Sequence, residues 1–331
     1  MLSQSSHPTS VIPSSATTTA SSPTPTGSFR PGYCAEAVPN WISQGTIALG
    51  IGLDGEGVRF ADLNGDGRVE YLYVNATGAV IAYLNLGSSD PNPSNAGQVS
   101  WLDQGVITAG FGGVRDQIQF ADLNGDGKAD YLWVHDDGSV DAWLNLGGPD
   151  DGADAAKVSW LAQGQVANGI GKDGTNLVFA DVTGNGRADY LWLDPNSGDV
   201  TAYLNTGPLN PNNMSAACQV GWESAGIIAS GFTVGSDSQA LAAARFADMN
   251  GDGRMDYCVL SYVNGNVSVW HNEPGTGGNI SWTPVGVIAT GVGDDGRTVQ
   301  FGDLNGDGRW EYLDVNSTSG AVNAWLNGCY G

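Results

Sequence analysis

The stretch Phe60–Val74, FADLNGDGRVEYLYV, returns four times: FADLNGDGKADYLWV at 120–134, FADVTGNGRADYLWL at 179–193, FADMNGDGRMDYCVL at 246–260 and FGDLNGDGRWEYLDV at 301–315. Its leading acids, Asp62, Asp122, Asp181, Asp248 and Asp303, are spaced 60, 59, 67 and 55 residues apart. Two other landmarks keep step with it. A Trp followed by a Gly and an apolar run stands at Trp41, Trp101, Trp160, Trp222 and Trp282, and an alternating stretch of the type AVIAYLN ends at Asn85, Asn145, Asn205, Asn272 and Asn327. Five copies of about 60 residues thus fill the chain from Trp41 onward, the mark of a repeat architecture.

Each copy holds four short alternating segments rich in β-branched and aromatic residues, separated by Gly, Asn and Asp turns, and none with helical period. The pattern predicts an all-β fold, a five-bladed β-propeller of four-stranded antiparallel blades. We label the strands A (VRFAD-type), B (EYLYV-type), C (AVIAYLN-type) and D (the Trp segment). The Trp41 segment precedes any strand A, and the last copy ends after strand C, so the N-terminal strand is expected to complete blade five and close the ring. The propeller is expected over 33–331, with calcium-loop repeats starting near 58, 118, 177, 244 and 299. Residues 1–32, rich in Ser, Thr and Pro, bury too little to fold and read as a stalk or linker. A natural chain of this kind is expected to carry an export signal or a whole catalytic domain upstream of Met1.

The A-to-B turn carries the chemistry. Oxygen ligands recur at positions 1, 3, 5 and 9, with glycine at 6 and a backbone carbonyl at 7, a hard-donor spacing suited to Ca²⁺. The sets are Asp62, Asn64, Asp66, Arg68 (carbonyl) and Glu70; Asp122, Asn124, Asp126, Lys128 (carbonyl) and Asp130; Asp181, Thr183, Asn185, Arg187 (carbonyl) and Asp189; Asp248, Asn250, Asp252, Arg254 (carbonyl) and Asp256; and Asp303, Asn305, Asp307, Arg309 (carbonyl) and Glu311. Up to five Ca²⁺ are expected, the Asp181 set binding weakest because it has lost a carboxylate. An EF-hand is excluded, since its Glu at position 12 is absent and strands flank the loop.

The residues quoted resemble FG-GAP or VCBS-type repeat propellers over about 41–328, most closely the secreted fungal kind. Relatives of that type include integrin α-chain heads, mushroom propeller lectins that bind N-acetylglucosamine, and non-catalytic domains of secreted hydrolases. Of the family's name signatures, Phe301-Gly302 matches the first. The resemblance implies calcium at the positions above and a binding rather than catalytic role.

The chain has 331 residues, 50 of them Gly, and 35 acidic against 12 basic side chains, a net charge of -23. Such a surface disfavours nucleic acid and anionic lipid, and no run of about 18 apolar residues is available to span a bilayer. Fourteen of the acids lie in the five loops, and five bound Ca²⁺ would take the formal charge from -23 to -13. The remaining excess favours a neutral or cationic partner, such as a glycan or glycoprotein.

Five Asn-X-Ser/Thr sequons (Asn75, Asn213, Asn266, Asn279, Asn316), the stalk and four cysteines together point to a secreted protein. Cys34 and Cys329 flank the ring closure and are expected to staple it. Cys218 and Cys258 either pair or remain free thiols.

Strand alternation sends A–B and C–D loops to one face, B–C and D–A loops to the other. The Trp-to-Asp spacing is 21 residues in four copies but 26 after Trp222, within 231–245. The variable face is therefore the expected ligand face, with Tyr73, Trp133, Trp192, His135 and Tyr262 as candidate contacts. The position of Tyr73, Trp133 and Trp192 is Val259 and Asp314 elsewhere, which places it off the deep core. The repeated Tyr71 and Trp41 sets read as core. His135 with Asp136 or Asp137 is the one conceivable catalytic pair. Gly-x-Ser-x-Gly, His-Glu-x-x-His and phosphate-cradling motifs are absent, so no enzyme is expected. A structural or protein-binding role is the alternative, and a polysaccharide lyase a weaker one.

Overall fold

The computed structural model describes residues 39–148, 158–208, 220–231, 244–275, 280–292 and 295–328. Blade 1 comprises β2 (Val58–Ala61), β3 (Glu70–Val74), β4 (Val80–Asn85) and β5 (Trp101–Thr108). Blade 2 comprises β6 (Ile118–Ala121), β7 (Asp130–Val134), β8 (Ser139–Asn145) and β9 (Trp160–Asn168). Blade 3 comprises β10 (Leu177–Ala180), β11 (Asp189–Leu193), β12 (Val200–Pro208) and β13 (Val220–Ala229). Blade 4 comprises β14 (Ala244–Ala247), β15 (Asp256–Leu260), β16 (Val267–Pro274) and β17 (Ile280–Ala289). Blade 5 takes β18 (Val299–Gly302), β19 (Glu311–Val315) and β20 (Val322–Asn327) and is completed by β1 (Trp41–Ala48), pairing antiparallel to β20. The ring therefore closes by the N-terminal strand, as the phase of the repeats requires.

The register is the same in every blade: Phe60 sits opposite Tyr71, and Tyr71 opposite Tyr83, with Phe120, Tyr131 and Trp143 repeating the arrangement. The glycine four residues after each Trp has a structural cause. Gly45 has φ 66° and Gly105 φ 67°, beside a register shift in strand D where one extra residue is accommodated. No atom lies within 4 Å of a Cβ built on either, so the backbone conformation alone demands glycine.

The core lies between blades rather than within them. Leu72, Val74, Val80 and Ala82 of blade 1 pack with Ile118 and Tyr131 of blade 2 in one cluster. Two sets of polar bonds bind the same seams. Each strand-D Trp donates its indole N–H to strand D of the preceding blade: Trp41 to Ile288 O (2.8 Å), Trp101 to Ile47 O (2.9 Å), Trp160 to Ile107 O (3.2 Å), Trp222 to Val166 O (2.8 Å) and Trp282 to Ile228 O (2.7 Å). Tyr71, Tyr131, Tyr190 and Tyr312 donate their hydroxyls to Gly320, Gly78, Gly138 and Gly265 O of the preceding blade's B–C turn. The repeated aromatics are therefore inter-blade anchors, each with its polar end satisfied.

Cys258 is a free thiol with no exposed surface, at the heart of blade 4. Of the two readings of that cysteine the structure carries the buried thiol, and Cys218, the other half of the alternative pair, falls outside the described residues. Cys34, Cys218 and Cys329 lie outside the described residues, and so do the stalk, Asn213, Asn279 and most of the 231–245 insertion.

Candidate metal loops and the opposite face

In the five A–B loops each acidic or amide side chain caps the backbone ahead of it. Asp62 accepts from Gly65 N (2.7 Å) and Gly67 N (2.8 Å), Asn64 Oδ1 from Asp66 N (2.9 Å), and Asp66 Oδ1 from Arg68 N (2.9 Å). Gly65 and Gly67 sit at φ 78° and 85°, which lets the loop coil round the Asp62 carboxylate. Blade 5 repeats this with Asp303, Asn305 and Asp307. In blade 3 Thr183 takes the third position and donates its hydroxyl to Asp181 Oδ1 (3.1 Å).

Position 9 divides the blades into two kinds. Asp130 uses both oxygens on backbone amides, Leu123 N (2.9 Å) and Asn145 N (2.8 Å), and Asp189 and Asp256 do the same. The longer Glu70 and Glu311 spend only Oε2, on Leu63 N (2.5 Å) and Leu304 N (2.6 Å). Their Oε1 atoms are buried without a partner. In blade 5 one carboxylate oxygen each from Asp303, Asp307 and Glu311 lies within 4.8 Å of the others. An orphaned carboxylate oxygen, two more carboxylates and an Asn amide oxygen form a hard-oxygen donor set that fits Ca²⁺.

Burial raises the pKa of these carboxylates, against the amide bonds that lower it. Asp62, Asp248 and Asp303 rise to about 6, Asp189 to about 7, and Asp130 and Asp256 to about 8. Glu70 and Glu311 stand well above the usual range, through burial and the neighbouring Asp62 and Asp303 charges respectively. At about 8, Asp130 and Asp256 are mostly protonated at neutral pH unless a cation stands beside them.

The loops are chained to each other. The position-1 carbonyl of each accepts the position-8 amide of the next: Asp303 O from Val69 N (2.8 Å), Asp62 O from Ala129 N (2.7 Å), Asp122 O from Ala188 N (2.7 Å), Asp181 O from Met255 N (2.9 Å) and Asp248 O from Trp310 N (2.9 Å). Buried asparagines ending strand C add a second circuit, Asn85 Nδ2 to Leu304 O (3.0 Å) and Asn145 Nδ2 to Leu63 O (2.9 Å) among them. In blades 1, 2 and 5 the basic residue at position 7 pairs with its own loop's acid, Arg309 with Asp307 at 3.0 Å, and in every blade its stem crosses the preceding loop's glycine. These side chains therefore brace neighbouring loops instead of simply extending into solvent.

The five candidate ligand contacts all lie on the opposite face, but they are not brought into a single pocket. Tyr73 and Trp192 are only 4% and 7% exposed, and Asp314 at the same register is 6% exposed, accepting from Thr298 Oγ1 (2.9 Å). An Asp is tolerated there because it is partnered, so the inference that the position lies off the core is corrected. D–A loops hold each ring. Arg115 lies over Tyr73 at 5.6 Å, Lys172 over Trp192 at 4.6 Å and Arg297 over Tyr262 at 4.9 Å. Trp133 donates to Gln117 Oε1 (3.0 Å) and stands against His135 with centroids 4.3 Å apart.

His135 pairs through Nε2 with Asp141 Oδ2 at 2.8 Å, on strand C, and not with Asp136 or Asp137. Asp137 is turned back onto Ser139 N and Oγ, and Asp136 onto Gln117, which leaves Asp141 as the acid in reach. Residues that sequence reasoning missed here are Asp54, Arg115, Gln117, Lys172, Asp173, Asp295 and Arg297. The Asp-Gly pairs 54–55, 173–174 and 295–296 were a usable signal. A Cβ on Gly55, Gly174 or Gly296 would fall 2.3, 2.0 or 2.1 Å from a carbonyl oxygen of the B–C turn, fixing these loops against it.

Sequence comparison finds no match among curated proteins. Among solved structures, the chain is similar to the Photorhabdus luminescens Tc holotoxin pore at 18% identity and TM-score 0.46, over 88% of this chain and 15% of that one. It is also similar to an Agrocybe aegerita lectin described as recognising non-reducing terminal N-acetylglucosamine, at 20% identity and TM-score 0.39, over 83% of this chain and 63% of that one. The chain thus spans a small part of the toxin and just under two thirds of the lectin. The FG-GAP-like repeat profile matches residues 62–133, 122–192, 181–259 and 248–313, each match bridging two successive loops. The protein belongs to the FG-GAP-like repeat family.

Proposed function

We propose that the chain is a secreted, calcium-stabilised, non-catalytic binding module whose metal loops hold the ring and whose opposite face recognises a glycan. The observation that carries the metal half is the blade 5 cluster, where Glu311 Oε1 is buried without a partner beside the converging carboxylates of Asp303 and Asp307. An unpartnered buried carboxylate oxygen costs stability unless a cation meets it. Blade 1 offers the same unpartnered Glu oxygen, but among the described residues only the blade 5 carboxylates converge, so blade 5 is the strongest site. Blade 3, where Asn185 replaces the acid at position 5, is the weakest. Bound calcium supplies charge neutralisation, and Asp303, Asn305, Asp307, Glu311 and the Arg309 carbonyl would hold it.

The glycan half rests on the contrast between faces. The part-exposed rings of Trp133 and Tyr262, set beside Gln117, His135 and Arg297, offer apolar faces next to hydrogen-bonding groups, the kind of surface that sugars use. Secretion narrows the choice of face. Sequons Asn75, Asn266 and Asn316 lie at B–C turns of blades 1, 4 and 5. Glycosylation there would leave blades 2 and 3 open, where the part-exposed Trp133 stands. The test is a glycan array in calcium, with Trp133→Ala alongside. No hit on the array defeats the glycan half, while the metal half is judged separately by calcium titration calorimetry, where an absence of heat defeats it.

A further inference from the structure

The tip of every A–B loop is chemically labile. Asparagine or aspartate followed by glycine is prone to close on itself, because no Cβ hinders the glycine nitrogen as it attacks the side-chain carbonyl carbon. The loops hold such pairs at Asn64-Gly65 and Asp66-Gly67 and again at 124–127, 250–253 and 305–308, with Asn185-Gly186 alone in blade 3, where Thr183 takes position 3. The fold cannot exchange the glycines: Gly65 and Gly67 lie at φ 78° and 85°, Gly306 and Gly308 at 78° and 86°. Burial gives no shelter either, since positions 4, 5 and 6 are exposed in all five loops.

What the structure supplies instead is a carboxylate on each attacking nitrogen. Asp62 takes Gly65 N through Oδ1 and Gly67 N through Oδ2, so its two oxygens hold both nucleophiles of the loop. Asp122, Asp181, Asp248 and Asp303 make the same pair of bonds, each at 2.7 or 2.8 Å. The side chains under attack are pinned as well, Asn305 Oδ1 accepting from Asp307 N (2.8 Å) and Asn185 Oδ1 from Arg187 N (2.9 Å). Attack proceeds through the deprotonated amide nitrogen, and a carboxylate in direct contact opposes the growth of a second negative charge there. The bond must also break before the nitrogen can turn toward the side chain.

We propose that the residues at positions 3 and 5 are latent self-modification sites and that the position-1 aspartate guards them. When the guard lets go in blade 5, Gly306 N bonds to Asn305 Cγ and the amide nitrogen leaves as ammonia, closing a cyclic imide. Water, the only co-reactant, then opens the ring at either carbonyl and gives aspartate or isoaspartate. Asp307 closes on Gly308 N in the same way with loss of water, and reopening gives isoaspartate. Isoaspartate adds a methylene to the main chain, which carries the loop out of register with its neighbour, including the bond from Trp310 N to Asp248 O. A loop that opens is thus marked permanently. The inference stands on the loops' own hydrogen bonds and needs neither the calcium nor the glycan reading.

The experiment follows the full chain in EDTA at mildly alkaline pH, native and in urea, with Asp303→Ala and Asp181→Ala alongside. Trypsin cuts after the Arg or Lys at position 7 and places each loop on its own peptide. Mass spectrometry then reads amide-to-acid conversion at each Asn, and enzymatic methylation reads isoaspartate. In the native wild type each loop Asn is expected to convert roughly 10-fold or more slowly than in urea, a barrier difference of about 1.4 kcal/mol or more. Asp303→Ala is expected to bring Asn305 near the urea rate while Asn64, Asn124 and Asn250 stay slow, and Asp181→Ala to do the same for Asn185 alone. Selective conversion in either variant sustains the proposal, so the failure of one variant to fold does not decide it. The proposal is overturned if the native loops convert as fast as the unfolded chain, or if neither variant speeds its own loop ahead of the others, since protection would then belong to the ring as a whole.

Discussion

At one end of the ring five loops of nearly identical sequence grip each other, every position-1 carbonyl taking an amide of the next loop. At the other end the loops share a way of docking but little composition: Asp54-Gly55, Asp173-Gly174 and Asp295-Gly296 precede strand A in three blades, while blade 2 places Val114-Arg115-Asp116-Gln117 there. Uniformity at the first end follows from what each loop must do for its neighbour. A change in one would break a bond in the next. The second end is joined to the preceding blade's B–C turn by tyrosine hydroxyls and by backbone amides of the Asp-Gly loops, bonds that leave the outward side chains free to differ, and differing side chains are what selective recognition needs. The same strands thus support a bracing face and the face proposed to recognise a ligand.

Removing the cation should separate the two most sharply. Chelation with EDTA is expected to lower the melting temperature by about 10 °C or more, since each site occupied well above its dissociation constant contributes roughly 3–4 kcal/mol. An unchanged melting curve would break the comparison, leaving the loops as metal-free turns. Next in size is the asparagine circuit. Asn145→Ala strips buried donors from Leu63 O and Ala129 O and should cost about 2–4 kcal/mol by denaturant unfolding. A cost below about 1 kcal/mol would mean that the blades are held by apolar packing alone.

The third effect is on pH. Asp130 and Asp256 have an ordinary value of 3.8 and rise to about 8 in the fold, so between these values the folded chain binds more protons than the unfolded one. Stability without calcium is then greatest at the acid end of that window and falls as pH rises through it. The chelated protein should melt several degrees lower at pH 8 than at pH 5.5, and apparent calcium affinity should climb over the same range as protons cease to compete. A chelated protein that is more stable at pH 8 would show that the amide bonds outweigh burial.

The repeat made the blade count, the strand order and the ring closure legible, because each depends on periodicity and on which segment lacks a partner. Glycine and the acids at fixed spacing made the five coiled A–B loops legible for the same reason. What stayed hidden depends on three-dimensional reach. Glu70 and Glu311 read as equivalents of Asp130, yet one added methylene moves an oxygen off the strand-C amide and leaves it without a partner. Asp314 read as a sign of exposure, but it is buried against Thr298, a residue 16 positions away. His135 has acids immediately after it in the chain, and its partner is Asp141 across the turn.

The smallest effect on stability is expected at the recognising face, and it is the one that sharpens the comparison most. Arg297 is 62% exposed, and its pair with Asp295 is screened by water, so Arg297→Ala should cost about 0.5 kcal/mol or less. The same change uncovers the Tyr262 ring, over which the guanidinium now lies at 4.9 Å. If this face binds a glycan at blades 4 and 5, affinity should shift at least threefold in either direction while the melting temperature hardly moves. If binding is confined to the open blades 2 and 3, the substitution should leave affinity unchanged and Trp133→Ala should abolish it. A loss of stability from Arg297→Ala comparable to that from Asn145→Ala would erase the distinction, because it would make the variable face as much a part of the brace as the metal loops.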